Sequence, residues 1–263
     1  MIRAAVNGAA GRMGQLLVKL ICESKEFQLV SALERADHPD LGKDAGTLAG
    51  TRPSGIPLSS ELVQPVDVLI DFSSPDSTLQ RVSECIKKRS PMVIGTTGHA
   101  PEGLKRIREA SAIVPIVLSP NMSLGVNLLA EVLPVIAKAL GNSFDAEIVE
   151  AHHRFKKDSP SGTALKLAEA IAGGLGLSVK ENAVYGRQGI VGERKRTEIG
   201  ILAVRAGDIV GEHTVIFGGL GERIEVKHIA QSRECFARGA LRAAQFVVAK
   251  PPALYTMKDV LAL

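Results

Sequence analysis

The chain has 263 residues, of which 45% are hydrophobic and 23% are charged, so it can bury a core of ordinary size in one large domain or two modest domains. Its formal net charge is only +4, and its aromatic residues are seven Phe and two Tyr with no Trp. A nucleic-acid partner is therefore not expected, because surfaces for stacking bases are scarce, and an anionic small molecule suits the chain better.

The chain shows no sign of membrane insertion, secretion or metal binding. No run of about 18 apolar residues is present, so no membrane span is expected. Met1 to Val6 leads directly into a glycine turn without the longer apolar stretch of a signal peptide, which predicts a cytoplasmic protein. Cys22, Cys85 and Cys235 are far apart and form no CxxC pair, so neither a disulfide framework nor a metal site is expected.

The first 120 residues alternate between strand-like and helical segments. Apolar runs predict strands at residues 2–6, 28–33, 66–72, 92–94 and 113–118, and helical periodicity predicts helices at 13–22, 78–88 and 102–112. Residues 36–60 are rich in Gly, Pro and Ser and are predicted to be an irregular insertion. The alternation predicts an α/β fold with a Rossmann-like, doubly wound parallel sheet.

After Asn121 the pattern changes to that of a second, α+β domain. Helices are predicted at about 124–140 and 163–175, and strands at 145–151, 198–205, 212–217 and 223–229. The turns at 206–208 and 218–221 suit antiparallel connections, which predicts a mixed or antiparallel sheet. A last helix at about 235–248 is expected to pack back on the first domain. We therefore predict a dinucleotide-binding domain at 1–123, completed by 233–263, and a second domain at 124–232.

The first strand runs into the sequence Gly8-Ala9-Ala10-Gly11-Arg12-Met13-Gly14, which opens the first helix. This context is that of a dinucleotide-binding fingerprint, although the spacing is GxxGxxG rather than GxGxxG. Such glycines let the backbone approach a pyrophosphate, and the helix N-terminus offers unpaired N–H groups to it. A tight structural turn is the alternative explanation.

Further candidate cofactor contacts follow the later strands. Glu34 and Arg35 lie where an acid typically hydrogen-bonds the adenosine ribose and an arginine meets a 2′-phosphate, so both NADH and NADPH are expected. A solvated surface pair is the alternative. Three more strand ends are expected to surround the ribose and nicotinamide, although each could be a helix cap or turn: Asp71-Phe72-Ser73-Ser74, Gly95-Thr96-Thr97-Gly98 and Ser119-Pro120-Asn121-Met122.

The segment from Glu150 to Thr163 carries the densest chemistry. His152 and His153 follow a strand, and histidine titrates near neutral pH. Lys156 can donate a proton and attract an anion. Ser161 is predicted to cap the next helix, whose first N–H groups would bind a carboxylate. A solvated basic loop is the alternative, and a zinc site lacks a third ligand.

Six stretches that span nearly the whole chain carry a family resemblance: GAAGRMG, ALER, VIGTTG, EAHHRFKKDSPSGTA, AVRAGDIVGEHTVIF and the segment from GERIEV to MKDVLAL. With these the chain resembles 4-hydroxy-tetrahydrodipicolinate reductase of the diaminopimelate route to lysine. The resemblance implies reduction of 4-hydroxy-tetrahydrodipicolinate, a small dicarboxylate, to tetrahydrodipicolinate with NADH or NADPH. It also implies a homotetramer built through the sheet of the second domain.

The resemblance implies a role for individual residues. His152 is similar to the proton donor or acceptor, and Lys156 to the second catalytic group. The implied substrate contacts are His153, Ser161, Gly162 and Thr163. The implied cofactor contacts are Gly8, Ala9, Ala10, Gly11, Arg12, Met13, Glu34, Arg35, Phe72, Gly95, Thr96, Thr97, Ser119, Pro120, Asn121 and Met122. Many members carry a basic residue where this chain has Ser74, which argues against a strong NADPH preference.

Two other functions remain open on the residues alone. One is another nicotinamide-dependent dehydrogenase of similar plan, such as aspartate dehydrogenase; a semialdehyde dehydrogenase would need a nucleophilic cysteine, and no cysteine lies in the histidine segment. The other is a dinucleotide-binding redox sensor without catalysis, which would not need the cluster of His, Lys, Ser, Gly and Thr.

Overall fold

The strand–helix alternation is realised over the whole chain in the computed structural model, which describes residues 1–263. The strands are β1 (Ile2–Asn7), β2 (Phe27–Leu33), β3 (Leu58–Ser59), β4 (Val68–Asp71), β5 (Met92–Ile94), β6 (Ile116–Leu118), β7 (Asp145–His152), β8 (Ala183–Val184), β9 (Ile199–Arg205), β10 (Gly211–Gly218), β11 (Arg223–Ala230) and β12 (Leu254–Tyr255). The α-helices are α1 (Arg12–Glu23), α2 (Ala45–Leu48), α3 (Pro75–Lys88), α4 (Pro101–Ser111), α5 (Leu124–Leu140), α6 (Gly162–Leu175), α7 (Val179–Asn182), α8 (Glu234–Val247) and α9 (Met257–Leu261).

The first unit, Met1–Leu124 with Glu234–Leu263, contains a seven-stranded sheet in the order β3-β2-β1-β4-β5-β6-β12. All its strand pairs are parallel, which confirms the predicted doubly wound sheet. The chain runs outward from β1 in one direction and then crosses to β4 in the other. Ligands of such sheets bind where the order reverses, beyond the carboxyl ends of β1 and β4.

Helices cover both faces of this sheet, which explains why its central strands are apolar without alternation. Val68 and Ile70 face a core that they share with α1 and α8, whereas Leu69 faces a second core with α3 and α4. The last long helix, α8, therefore packs on the first unit as predicted.

The segment predicted as an irregular insertion has more structure than its composition indicated. It contains α2 and β3, and the Asp44 side chain holds the loop between them. The carboxylate of Asp44 accepts hydrogen bonds from the backbone N–H groups of Thr47 at 2.8 Å, Ser54 at 3.1 Å and Gly55 at 2.8 Å. A single carboxylate thus replaces the repeating hydrogen bonds that a longer element would supply.

The second unit, Gly125–Arg233, contains a mixed sheet in the order β11-β10-β7-β9-β8. Strands β7, β9 and β8 are parallel, whereas β10 is antiparallel to both β7 and β11. Helices α5 and α6 pack on one face of this sheet, where Leu133, Leu167 and Ile171 meet Ile148 and Phe217. The predicted α+β domain with a mixed sheet is confirmed.

The two turns predicted as antiparallel connections differ in what they join. The turn at residues 206–208 joins β9 and β10, which run in opposite directions but are not neighbours, because β7 lies between them. Strand β9 pairs with β7 in parallel, and such a pair needs a crossover, which α6 and the residues up to 198 provide. The turn at 218–221 does connect antiparallel neighbours, because β10 pairs with β11.

The stretch Leu124–Ser143 is long and apolar enough to cross a membrane by length and composition alone, with a mean hydropathy of 1.6. Leu133 and Ala137 on this stretch are buried in the core of the second unit, and Asn127 on it is also buried. The stretch packs on the sheet with these residues, but only 22% of its most apolar 18-residue window is buried within the chain.

Candidate active site

The glycine turn after β1 leaves no room for side chains. Gly8 has φ of 76°, and a Cβ added there would lie 2.5 Å from the carbonyl oxygen of Phe72. A Cβ at Gly14 would overlap the carbonyl oxygen of Gly8. Helix α1 starts directly after Gly11, and no side chain caps its first N–H groups. The turn therefore brings backbone close to backbone in the way that a pyrophosphate site requires.

Glu34 lies directly beside this turn. One of its carboxylate oxygens accepts a hydrogen bond from the N–H of Ala10 at 3.3 Å, and the other accepts one from the N–H of Arg35 at 3.1 Å. Arg35 itself is largely exposed, and its Nε lies 3.4 Å from Oδ1 of Asp37. An acid next to the glycine turn and a solvent-accessible guanidinium fit a ribose and its 2′-substituent.

A buried aspartate ties the strand ends together around the point where the order reverses. Oδ1 of Asp71 accepts hydrogen bonds from Asn7 Nδ2 and Ser73 Oγ, both at 2.6 Å. Its Oδ2 accepts hydrogen bonds from Thr78 Oγ1 at 2.6 Å and Thr96 Oγ1 at 2.7 Å. The carboxyl ends of β1, β4 and β5 are thus held by one carboxylate, and the hydroxyl of Thr96 is engaged inside the protein.

The remaining predicted cofactor residues lie at the same edge of the sheet. The ring of Phe72 covers Gly95 so closely that a Cβ there would overlap the ring. Ser119 Oγ donates to the carbonyl of Asn121 at 2.8 Å, which shapes the loop after β6. Met122 is buried in the core under α8, so its side chain packs rather than faces solvent. All predicted cofactor residues follow β1, β2, β4, β5 or β6.

The catalytic candidate His152 is the last residue of β7, on the face that the helices cover. Its Nδ1 lies 2.6 Å from Oε2 of Glu150, two residues earlier on the same face. Burial lowers the pKa of His152, although the hydrogen bond to Glu150 raises it in part. Its Nε2 lies next to Gly211, where an added Cβ would be 3.0 Å away.

Glu150 is fully buried and holds two further residues in place, Arg205 and Ser161. Both terminal nitrogens of Arg205, which stands opposite His152 on β9, donate to its two oxygens at 2.8 Å. The N–H of Ser161 donates to its Oε1 at 3.0 Å. Burial raises the pKa of Glu150, but the hydrogen bonds from Arg205 and His152 outweigh it and hold that pKa below its ordinary value.

Two more histidines continue this cluster across the sheet. His213 on β10 stands opposite Glu150 on β7 and opposite His228 on β11. The rings of His152 and His213 meet edge to face with centroids 5.2 Å apart, and His213 Nε2 lies 3.2 Å from Ser161 Oγ. Burial lowers the pKa of His213 to about 4, so this ring is neutral at neutral pH.

Sequence reasoning assigned no role to Glu150, Arg205, His213 or His228. Alternation along β10 puts His213 on the same face as Val215 and Phe217, so the sequence was sufficient to predict that this histidine is buried. The residues opposite His213 on the neighbouring strands could not be predicted, because strand register is set only in the folded sheet.

The loop between β7 and α6 presents the substrate candidates. Nζ of Lys156 lies 2.8 Å from each carboxylate oxygen of Asp158. Ser161 caps α6 as predicted, because its Oγ accepts from the N–H of Ala164 at 3.1 Å. A Cβ added at Gly162 would meet nothing within 4 Å, so the start of α6 is open. A cation beside an open helix N-terminus can bind a carboxylate.

Comparisons with known proteins agree over the full length. The family profile described as dihydrodipicolinate reductase, N-terminus, matches residues 2–122, and that described as dihydrodipicolinate reductase, C-terminus, matches residues 125–261. A 4-hydroxy-tetrahydrodipicolinate reductase from Syntrophotalea carbinolica is 50% identical over 100% of both chains, and one from Syntrophus aciditrophicus is 48% identical over 99% of this chain and 98% of that relative. A solved structure of dipicolinate-bound dihydrodipicolinate reductase from Paenisporosarcina sp. TG-14 is 26% identical, covers 98% of each chain and has a TM-score of 0.77.

Proposed function

This chain belongs to the dihydrodipicolinate reductase family, and we propose that it reduces 4-hydroxy-tetrahydrodipicolinate to tetrahydrodipicolinate with NADH or NADPH. The observation that carries the proposal is a pair of sites that fit the two reactants. The first site is the glycine turn after β1, where neighbouring backbone leaves no room for side chains. The second site lies after β7, where a histidine bonded to a carboxylate is next to an open helix N-terminus. The reaction is a step on the diaminopimelate route to lysine.

The residues of the first unit would hold the cofactor. The backbone of Gly8 to Met13 and the N-terminus of α1 would bind the pyrophosphate, since no side chain fills that space. Glu34 would accept hydrogen bonds from the adenosine ribose, and Arg35 would pair with a 2′-phosphate when one is present. Phe72, Gly95, Thr97 and the loop from Ser119 to Asn121 would line the nicotinamide end. The bound cofactor supplies the hydride.

The loop after β7 would hold the substrate by its carboxylates. Lys156, His153 and the N–H groups of Gly162 and Thr163 present positive charge and donors, and charge-assisted hydrogen bonds of this kind are about twice as strong as neutral ones. Lys156 would exchange its exposed partner Asp158 for the substrate. A solved relative carries dipicolinate, a planar ring dicarboxylate, which matches this chemistry.

His152 would supply the proton. After the substrate ring loses its hydroxyl group as water, hydride would add to the carbon that carried it, so negative charge would develop on the conjugated imine and a proton would be needed to quench it. Glu150 occupies Nδ1 of His152, which leaves Nε2 to donate. Because burial lowers the pKa of His152, the free ring is largely neutral, and a bound dianion nearby would raise that pKa and charge the acid. General acid catalysis of this kind contributes about 10²–10⁴-fold.

The oligomer would form through the open face of the second sheet. Helices α5 and α6 cover one face only, and the other face presents exposed apolar side chains, Val204 at 44% and Ile229 at 50% exposure. Four copies that bury this face would form a homotetramer. We place this tetramer in the cytoplasm. Its ligand besides the cofactor would be a small dicarboxylate substrate, and we propose no nucleic-acid or membrane partner.

A coupled assay tests the proposed function. Aspartate semialdehyde and pyruvate are converted by the preceding synthase, and the absorbance of NADH and of NADPH is followed in separate reactions. We expect oxidation of the cofactor that requires both the synthase and this chain. Absence of that oxidation, together with reduction of NAD⁺ in a parallel reaction with L-aspartate, would replace the proposal by an amino-acid dehydrogenase.

A further inference from the structure

The carboxylate of Glu150 has more partners than a solvated or capping side chain needs. It accepts hydrogen bonds from a side chain of its own strand (His152), from the neighbouring strand (Arg205) and from the backbone at the start of α6 (Ser161). It is fully buried, and an unpaired charge there would cost several kcal/mol. Arg205 supplies the compensating charge, and its NH2 also donates to the carbonyl of Asp158 at 2.8 Å.

This arrangement fixes the hydrogen on His152. An ionised carboxylate can only accept hydrogen bonds, so the nitrogen 2.6 Å from its Oε2 must carry a hydrogen. The neutral ring is therefore the Nδ1–H tautomer, and Nε2 is the nitrogen that exchanges a proton. The other neighbours do not compete for Nδ1, because His213 meets the ring edge to face and Lys156 is paired with Asp158.

We infer that Glu150 is a positioning residue for the proposed reaction, fixing the tautomer and orientation of His152 and the start of α6 with one carboxylate. Through Ser161 the same group holds the helix N-terminus that would bind a substrate carboxylate. The proton donor and the anion site are thereby set relative to each other within the second unit. This inference rests on the proposed function, whereas the tautomer itself does not depend on the substrate.

The functional test is Glu150→Gln, which keeps the shape of the side chain and removes its charge. We expect kcat to fall by about 10-fold to 100-fold, within the contribution of general acid catalysis, with an unchanged affinity for NADH in a fluorescence titration. The control is Glu147→Gln on the same strand. That carboxylate pairs with Arg187 and Arg194 on the opposite face, so we expect an unchanged kcat. An unchanged kcat in Glu150→Gln would overturn the inference.

The second measurement is nitrogen NMR on the wild-type chain with ¹⁵N-labelled histidine. We expect the His152 signals of the Nδ1–H tautomer in the free protein, and a shift toward Nε2–H in Glu150→Gln together with a lower pKa, because the carboxylate no longer raises it. An Nε2–H tautomer in the wild type would overturn the inference even if the variant fails to fold. If the wild type shows the expected tautomer but does not reduce the substrate ring in the coupled assay, the proposed function is contradicted and the tautomer assignment stands.

Discussion

Several basic side chains that we place in the site have a carboxylate beside them, but the pairs differ in burial. Arg35 with Asp37 and Lys156 with Asp158 are solvent-accessible pairs, which are worth about 0–1 kcal/mol and yield readily to an anionic ligand. The pair of His152 with Glu150 is buried, and Arg205 also binds Glu150, so an incoming ligand does not displace either partner. The exposed pairs therefore suit binding, and the buried pair suits chemistry.

Replacing His152 by glutamine removes the titrating nitrogen and keeps a polar side chain of similar size. We expect kcat to fall at least about tenfold, because general acid catalysis is lost, with little change in the Kd for NADH. Single-turnover stopped-flow kinetics measures the chemical step directly. Unchanged turnover would remove His152 from the reaction.

Replacing Arg35 by alanine removes the exposed guanidinium whose Nε lies 3.4 Å from Oδ1 of Asp37. We expect the Kd for NADPH to rise by about tenfold, because one charge-assisted hydrogen bond to the 2′-phosphate is lost. The Kd for NADH should change little. Isothermal titration with each cofactor gives both values. Equal losses for the two cofactors would refute a 2′-phosphate contact. The matched variant Arg52→Ala, on the loop before β3, should leave both values unchanged.

At the level of elements, the connection from β1 to α1 depends on glycine. A Cβ at Gly14 would overlap the Gly8 carbonyl, so we expect Gly14→Ala to destabilise the protein by about 1–3 kcal/mol and to weaken NADH binding at least tenfold. Urea unfolding and cofactor titration measure the two effects.

Gly103→Ala is the matched control, because it is also a helical glycine but its nearest neighbour would be 3.6 Å from the added Cβ. We expect this variant to keep its cofactor affinity and its stability, or to gain stability, since alanine favours helix over glycine. Equal behaviour of the two variants would contradict a close backbone approach at Gly14.

The same elements show what a sequence can predict. The continuous apolar run around Val68 predicts a strand buried on both faces, and the glycine pattern and the cap at Ser161 follow from local backbone chemistry. Two features could not be predicted. The insertion of β7 between β9 and β10 depends on a crossover that leaves no local pattern. The cluster of Glu150 with Arg205 and His213 depends on strand register, which is a property of the whole sheet.

For the whole molecule, the buried histidines predict a loss of stability in mild acid. Burial lowers the pKa of His213 to about 4, whereas an unfolded histidine titrates at about 6.5, so the unfolded chain takes up the proton first as the pH falls. The stability that the neutral, buried His213 contributes is fully present above about pH 6.5 and is lost as the pH falls from there to about 4. Burial also lowers the pKa values of His152 and His228, so they act in the same direction.

Urea unfolding at pH 7 and pH 5 measures this effect. At 1.36 kcal/mol per pH unit, we expect His213 to contribute about 2 kcal/mol to the loss between the two values. His213→Gln should therefore lose correspondingly less than the wild type over the same interval. Parallel pH dependences for the two proteins would contradict a neutral, buried His213. Glu150 and Asp44, whose pKa values are lowered, add their losses only at more acidic pH.

The open sheet face makes a prediction about assembly. Val204 lies on that face, so if the proposed tetramer forms there, we expect Val204→Glu to give smaller species in sedimentation velocity experiments while the chain stays folded. Val135→Glu is the control, because Val135 on α5 is 66% exposed on a helix rather than on the sheet. A tetramer that survives Val204→Glu, or a monomeric wild type, would rule out assembly through this face.

The proposed reaction transfers a hydride from the nicotinamide to one ring carbon of a dicarboxylate. The most direct measurement uses NADH with deuterium at the transferring carbon of the nicotinamide, with the ring substrate generated in place, and analyses the product by mass spectrometry and proton NMR. We predict tetrahydrodipicolinate that carries one deuterium at the carbon that bore the hydroxyl. Product without deuterium at that carbon, or a ring that is not reduced, would contradict the claim.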